Sequence, residues 1–96
     1  MKTVKVSAAC VNQTPMDWDG NLQRIAGAIA EAQADQVDVL CLPELVITGY
    51  GCEDMFLAPD TCLRAEQMLA EIIDLAPGMV VVVGLPWRHH NAVFNV

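Results

Sequence analysis

Apolar and polar positions alternate along this chain in blocks whose periods predict strands and helices in turn. Residues 3–11, rich in Val and Ala, read as a strand stopped by the polar loop Asn12-Gln13-Thr14-Pro15. Asp19 is the expected N-cap of the following helix. There Leu22, Ile25, Ala26, Ile29 and Ala30 recur at three- and four-residue intervals, which aligns them on one face. Asp17 and Asp19 also suit the positive end of that helix. Residues 37–42 form an unbroken apolar run, the signature of a strand covered on both faces. A loop over 44–59 has the length of a functional loop.

A second helix is expected from Asp60 or Thr61, with Ala65, Met68, Leu69, Ile72, Ile73 and Ala76 on one face and Pro77-Gly78 ending it. Residues 79–85 read as another buried strand. Pro86-Trp87-Arg88-His89-His90 then gives way to an antiparallel partner over 91–96. The predicted order is β-α-β-α-β-β, an α/β unit. Right-handed crossovers would lay both helices on the sheet and make the first three strands parallel.

Ninety-six residues make at most one domain, spanning 1–96, and the 54% hydrophobic content excludes a disordered tail. The formal charge of −7, with Lys2, Lys5, Arg24, Arg64 and Arg88 scattered, argues against nucleic acid or an anionic membrane surface as partner. No sustained apolar h-region of a targeting signal follows the N-terminal lysines, and residues 75–86 are too short and too punctuated to cross a bilayer. A cytoplasmic protein is the expectation.

Cys10, Cys41, Cys52 and Cys62 lie singly, so no knuckle for a metal and no paired framework is evident; no metal is expected. Cys10 and Cys41 fall in apolar strand patterns, where a free thiol packs as a small hydrophobe. His89 and His90 read as solvated turn residues pointing different ways, with a substrate or interface contact as the alternative.

Glu44 is the strongest candidate for chemistry. It stands where the apolar run 37–42 gives way to a glycine-bearing loop, and a parallel strand delivers its C-terminal residues into the crevice above the sheet. The bland alternative is a solvated acid at a strand end.

Pro43-Glu44-Leu45 followed by Thr48-Gly49-Tyr50 resembles the first catalytic motif of the nitrilase, or carbon-nitrogen hydrolase, superfamily. The continuation Gly51-Cys52-Glu53-Asp54-Met55-Phe56 is similar to the glutaminase domain of glutamine-dependent NAD synthetases. Supporting matches are Asn12-Gln13, Gly20-Asn21-Leu22, Val83-Gly84-Leu85-Pro86 and Phe94-Asn95, so the likeness runs over the whole chain. The resemblance implies an αββα sandwich, of which this chain is an incomplete part, and a site built from a glutamate, a lysine and a cysteine. Amide hydrolysis needs a thiolate nucleophile, a base and a group to hold the tetrahedral oxyanion. Glu44 matches the base. Tyr50, six residues on, is implied as a wall of the glutamine pocket, against the alternative of a half-buried loop aromatic.

The lysine and cysteine have no counterpart here: no lysine follows Lys5, and Cys52 and Cys62 lie in a glycine loop and on a helix, not on a strand-to-helix elbow. The chain alone is therefore expected to be inactive and to be the opening part of a larger domain; the isolated chain should unfold with poor cooperativity or self-associate. For the intact protein the resemblance implies glutamine hydrolysis supplying ammonia to NAD synthesis from nicotinic acid adenine dinucleotide. No cofactor is expected in this chain; ATP and Mg are implied for a synthetase domain outside it. The intact protein is expected to be a homo-oligomer acting on a small-molecule substrate, glutamine. The rival readings are another amidase of the superfamily and a non-catalytic α/β fragment.

Overall fold

The computed structural model describes residues Met1–Val96. Three short parallel strands, β1 (Val6–Ala8), β2 (Val39–Cys41) and β3 (Val80–Val82), lie side by side in the order β1-β2-β3. Helix α1 (Trp18–Ala34) crosses from β1 to β2, and α2 (Pro59–Ile73) from β2 to β3, preceded by a 3₁₀ turn over Glu53–Leu57. A separate antiparallel hairpin, β4 (Pro86–His89) and β5 (Ala92–Asn95), closes the chain. No helix is long and apolar enough to cross a membrane.

The register explains where the core sits. Val6, Val39 and Val80 are aligned, as are Ala8, Cys41 and Val82; between them the row Ser7, Leu40, Val81 points to the other face. Strands added in one direction by right-handed crossovers receive both helices on the same side. Leu40 therefore packs into a cluster with Ile25, Ile29 and Ala32 of α1 and Ala65, Met68 and Ile72 of α2. Val6, Val80, Val82 and Cys41 stay open to solvent on the opposite face. Within residues 1–96 the burial on both faces expected from their apolar runs is met on one face only. Cys10 and Cys41 are likewise exposed and do not pack as core thiols.

Several boundaries shift. The strand expected over 3–11 is reduced to β1, because β2 pairs through only three residues before Pro43, which has no N–H to extend the ladder. Asp17, not Asp19, caps α1: its carboxylate accepts from Gly20 N at 3.2 Å, and Asp19 lies inside the first turn. Ile25 and Ile29 are buried as expected, whereas Ala30 faces solvent. Helix α2 starts at Pro59, whose missing N–H is harmless in the first turn; Ile73 is exposed rather than core. The strand expected over 79–85 keeps only β3, and 91–96 pairs instead with β4, giving the order β-α-β-α-β-β-β. The turn is His90-Asn91, with His90 at φ 54°. That backbone brings the two exposed imidazoles side by side, with ring centroids 4.2 Å apart, so they do not diverge as expected.

Candidate active site

Glu44 is set by the end of β2. Leu42 N donates to Val82 O at 2.9 Å, Pro43 then ends the ladder, and Leu45 turns the chain with φ 51°. The carboxylate is exposed and borders an open cleft of about 290 Å³ lined also by Leu42, Pro43, Val82, Val83, Gly84, Asn95 and Val96. That volume is at the small end of ligand sites. Glu44 takes part in no ion pair. Its Oε1 accepts a hydrogen bond from Asn95 Nδ2, and no other side chain donates to the carboxylate.

The backbone behind Glu44 is held by two devices. Gly84 is the first: a Cβ there would lie 2.5 Å from Leu45 N and 3.1 Å from Glu44 Cα, so only hydrogen lets the strands approach this closely. The second is a polar network under the loop that follows. Asn21, fully buried on α1, donates to Ile47 O at 3.1 Å and Thr14 O at 2.9 Å and accepts from Thr14 N at 3.0 Å. Gln13 Nε2 donates to Val46 O at 2.7 Å, and Arg24 binds both Gln13 Oε1 and Asn21 Oδ1 at 2.7 Å. The loop carbonyls of Val46 and Ile47 are buried and have these side chains as partners, which fixes the turn carrying Glu44. Asn21→Leu keeps the branched heavy-atom skeleton but is bulkier and strips Thr14 and Ile47 of partners, so it should destabilise the protein by about 3 kcal/mol, read as a fall in denaturation midpoint.

Tyr50 is 54% exposed and does not line the cleft beside Glu44. Cys52 is buried, its Sγ 3.3 Å from Gly49 O and 3.5 Å from Thr48 O, so it braces the glycine loop. Cys62 is buried on α2. Asn95, Gly84, Asn21, Gln13 and Arg24 were not singled out by role in the sequence. The signal for four of them lies in the matches around Asn12-Gln13, Gly20-Asn21, Val83-Gly84 and Phe94-Asn95, and Arg24 stands in none of these. No three His, Cys, Asp or Glu side chains converge on a point that could hold a metal ion.

The carbon-nitrogen hydrolase profile matches residues 5–96. A glutamine-dependent NAD(+) synthetase of Dictyostelium discoideum is 42% identical over 99% of this chain, which spans 14% of that protein. The crystal structure of a glutamine-dependent NAD(+) synthetase from Cytophaga hutchinsonii superposes with a TM-score of 0.95 at 44% identity, covering 98% of this chain and 16% of the other. An amidase from Nesterenkonia sp. superposes with a TM-score of 0.72 at 26% identity over 86% of this chain and 32% of its own. This α/β unit is therefore a partial version of a known fold, spanning about a seventh of the synthetases it matches. With 92 of its 96 residues inside the family profile, the chain belongs to the carbon-nitrogen hydrolase family.

Proposed function

We propose that this chain is part of the glutaminase unit of a glutamine-dependent NAD synthetase, and that Glu44 is its general base. The observation that carries the reading is the Glu44 carboxylate itself, free of any ion pair, bordering a cleft at the carboxyl end of β2. The names and high identities of the synthetase relatives support the substrate. In this reading Glu44 takes the proton of a cysteine thiol supplied elsewhere in the protein. The thiolate adds to the side-chain carbonyl of glutamine, and a lysine, also from elsewhere, steadies the oxyanion. Glu44 hands its proton to the departing nitrogen, releasing ammonia and leaving a thioester. Water, deprotonated by the same carboxylate, adds to the thioester carbonyl; the C–S bond breaks, glutamate is freed and the proton returns to the cysteine sulfur. Tyr50 serves as a pocket wall once the remaining chain surrounds the loop.

The residues here do not fit ATP or magnesium. No three His, Cys, Asp or Glu side chains converge for a metal, and the cations are dispersed: Lys5 Nζ caps Asp35 O, Arg24 sits in the Asn21 network, Arg64 lies over Trp18 and Arg88 donates to Leu57 O. No step is derived through either group.

The test uses the full-length protein. With glutamine, ATP, magnesium and nicotinic acid adenine dinucleotide it should form NAD and glutamate, and ammonium should replace glutamine. Release of ammonia from small amides with no dinucleotide-dependent product would favour the second reading, an amidase like the Nesterenkonia relative. In the same assay Tyr50→Ala should raise KM for glutamine about fivefold with kcat little changed. An unaltered KM would remove Tyr50 from the pocket.

A further inference from the structure

The carboxylate of Glu44 stands at an exposed strand end, where three side-chain torsions leave it free to turn. Yet one of its oxygens is engaged by Asn95, 51 residues along the chain. A carboxylate oxygen only accepts, so the amide must present its NH₂ to it. Asn95 is itself held in place. It pairs with Pro86 in the β4–β5 register, and next to that pair Leu85 and Val96 exchange both backbone hydrogen bonds, at 3.0 and 3.1 Å. Gly84, immediately before Leu85, is the residue that packs against the backbone of Glu44. The hairpin and the segment leading into it thus meet Glu44 twice, Gly84 behind its main chain and Asn95 at its carboxylate.

From this geometry we infer that Asn95 is a positioning residue for Glu44: its amide holds Oε1 so that Oε2 is the oxygen turned toward the reacting thiol. This rests on the reading of Glu44 as the base. The choice of amide is physically apt. A Lys or Arg at this place would bind the carboxylate as an ion pair and compete with the proton that a base must accept. A neutral donor orients one oxygen and leaves the other free. A base acts only within hydrogen-bond reach of its proton, so a freely rotating carboxylate would spend much of its time out of position.

The test is made in the full-length protein with Asn95→Ala and the nearly isosteric Asn95→Asp, alone and combined with Glu44→Gln. Asn95→Ala should lower kcat for glutamine hydrolysis about tenfold with KM within about threefold, and Asn95→Asp, whose charge repels Glu44, should lower it further. Ammonium-driven NAD formation should persist. In the Glu44→Gln background neither change should cost anything more, since the carboxylate they position is already gone. An effect on KM alone, additive losses in the double variants, or a parallel fall in the ammonium-driven rate would each overturn the positioning role. If Glu44→Gln by itself left glutamine hydrolysis intact, the failure would belong to the reading of Glu44 as base instead.

Discussion

Replacing Glu44 with Gln in the full-length protein is expected to lower glutamine-dependent NAD formation by about a thousandfold, within the range that a positioned general base contributes. The substitution is close to isosteric. The Gln side-chain carbonyl can still accept from Asn95, Gly84 still fits behind the main chain, and the loop over Val46 and Ile47 keeps its Asn21 and Gln13 partners. What disappears is the capacity that the proposed reading assigns to Glu44, to take a proton from a thiol and return it to the departing ammonia. Binding of glutamine does not need that capacity, so KM should move little while kcat collapses. Ammonium bypasses the hydrolytic step altogether, so the ammonium-driven rate should be retained. Survival of glutamine-dependent synthesis would remove Glu44 from catalysis. A matching loss of both rates would show that the residue matters to the whole protein's folding and not to amide hydrolysis.

Much of this architecture is written locally. The two helices carry clear 3.6-residue periodicity and terminal signals, and the three parallel strands follow from apolar runs separated by those helices. What escapes a linear reading is non-local. An apolar run cannot say how many faces of its strand are covered; here two right-handed crossovers in one direction put α1 and α2 on one side, leaving Val6, Val80, Val82, Cys41 and their neighbours open. Pro86–His89 looks like a turn because it begins with proline and carries charge, yet it is a strand, since its partner β5 supplies the pairing.

The candidate site divides in the same way. Glu44 is legible because one short run, Pro43 to Tyr50, both ends a strand with an acid and carries the resemblance to the family motif. Its supports are not, because each reaches it across the fold: Asn21 from α1 over 26 residues, Asn95 from β5 over 51. A buried asparagine on a helix reads in sequence only as a weak helix former. Its reason for being there emerges when Ile47 O and Thr14 O are found to depend on it.

Gly84 gives the sharpest test of that support, because alanine at two glycines should act with opposite sign. Gly27 lies on the exposed side of α1, and a Cβ built there meets nothing within 4 Å. Alanine at Gly27 relieves the conformational freedom of glycine in a helix and should stabilise the protein by about 0.5–1 kcal/mol. At Gly84 the same methyl group would lie 2.5 Å from Leu45 N and 3.1 Å from Glu44 C, both backbone atoms that cannot rotate away. The strand ends must then separate. Ile47 N, which donates to Gly84 O at 3.3 Å, and the Asn95 contact to Glu44 both stretch as the hairpin moves off. The expected cost is about 1–3 kcal/mol, as for other overpacked sites, measured as a shift in denaturation midpoint. Because the displaced atoms include those that carry the Glu44 side chain, glutamine-dependent turnover should fall about a hundredfold even where the protein remains folded, the penalty of misplacing a reacting group by roughly an ångström. Gly84→Ala with a midpoint equal to that of Gly27→Ala would mean that β2 and the β3–β4 connection do not approach as closely as this, and that the carboxylate is held by the Asn21 network alone.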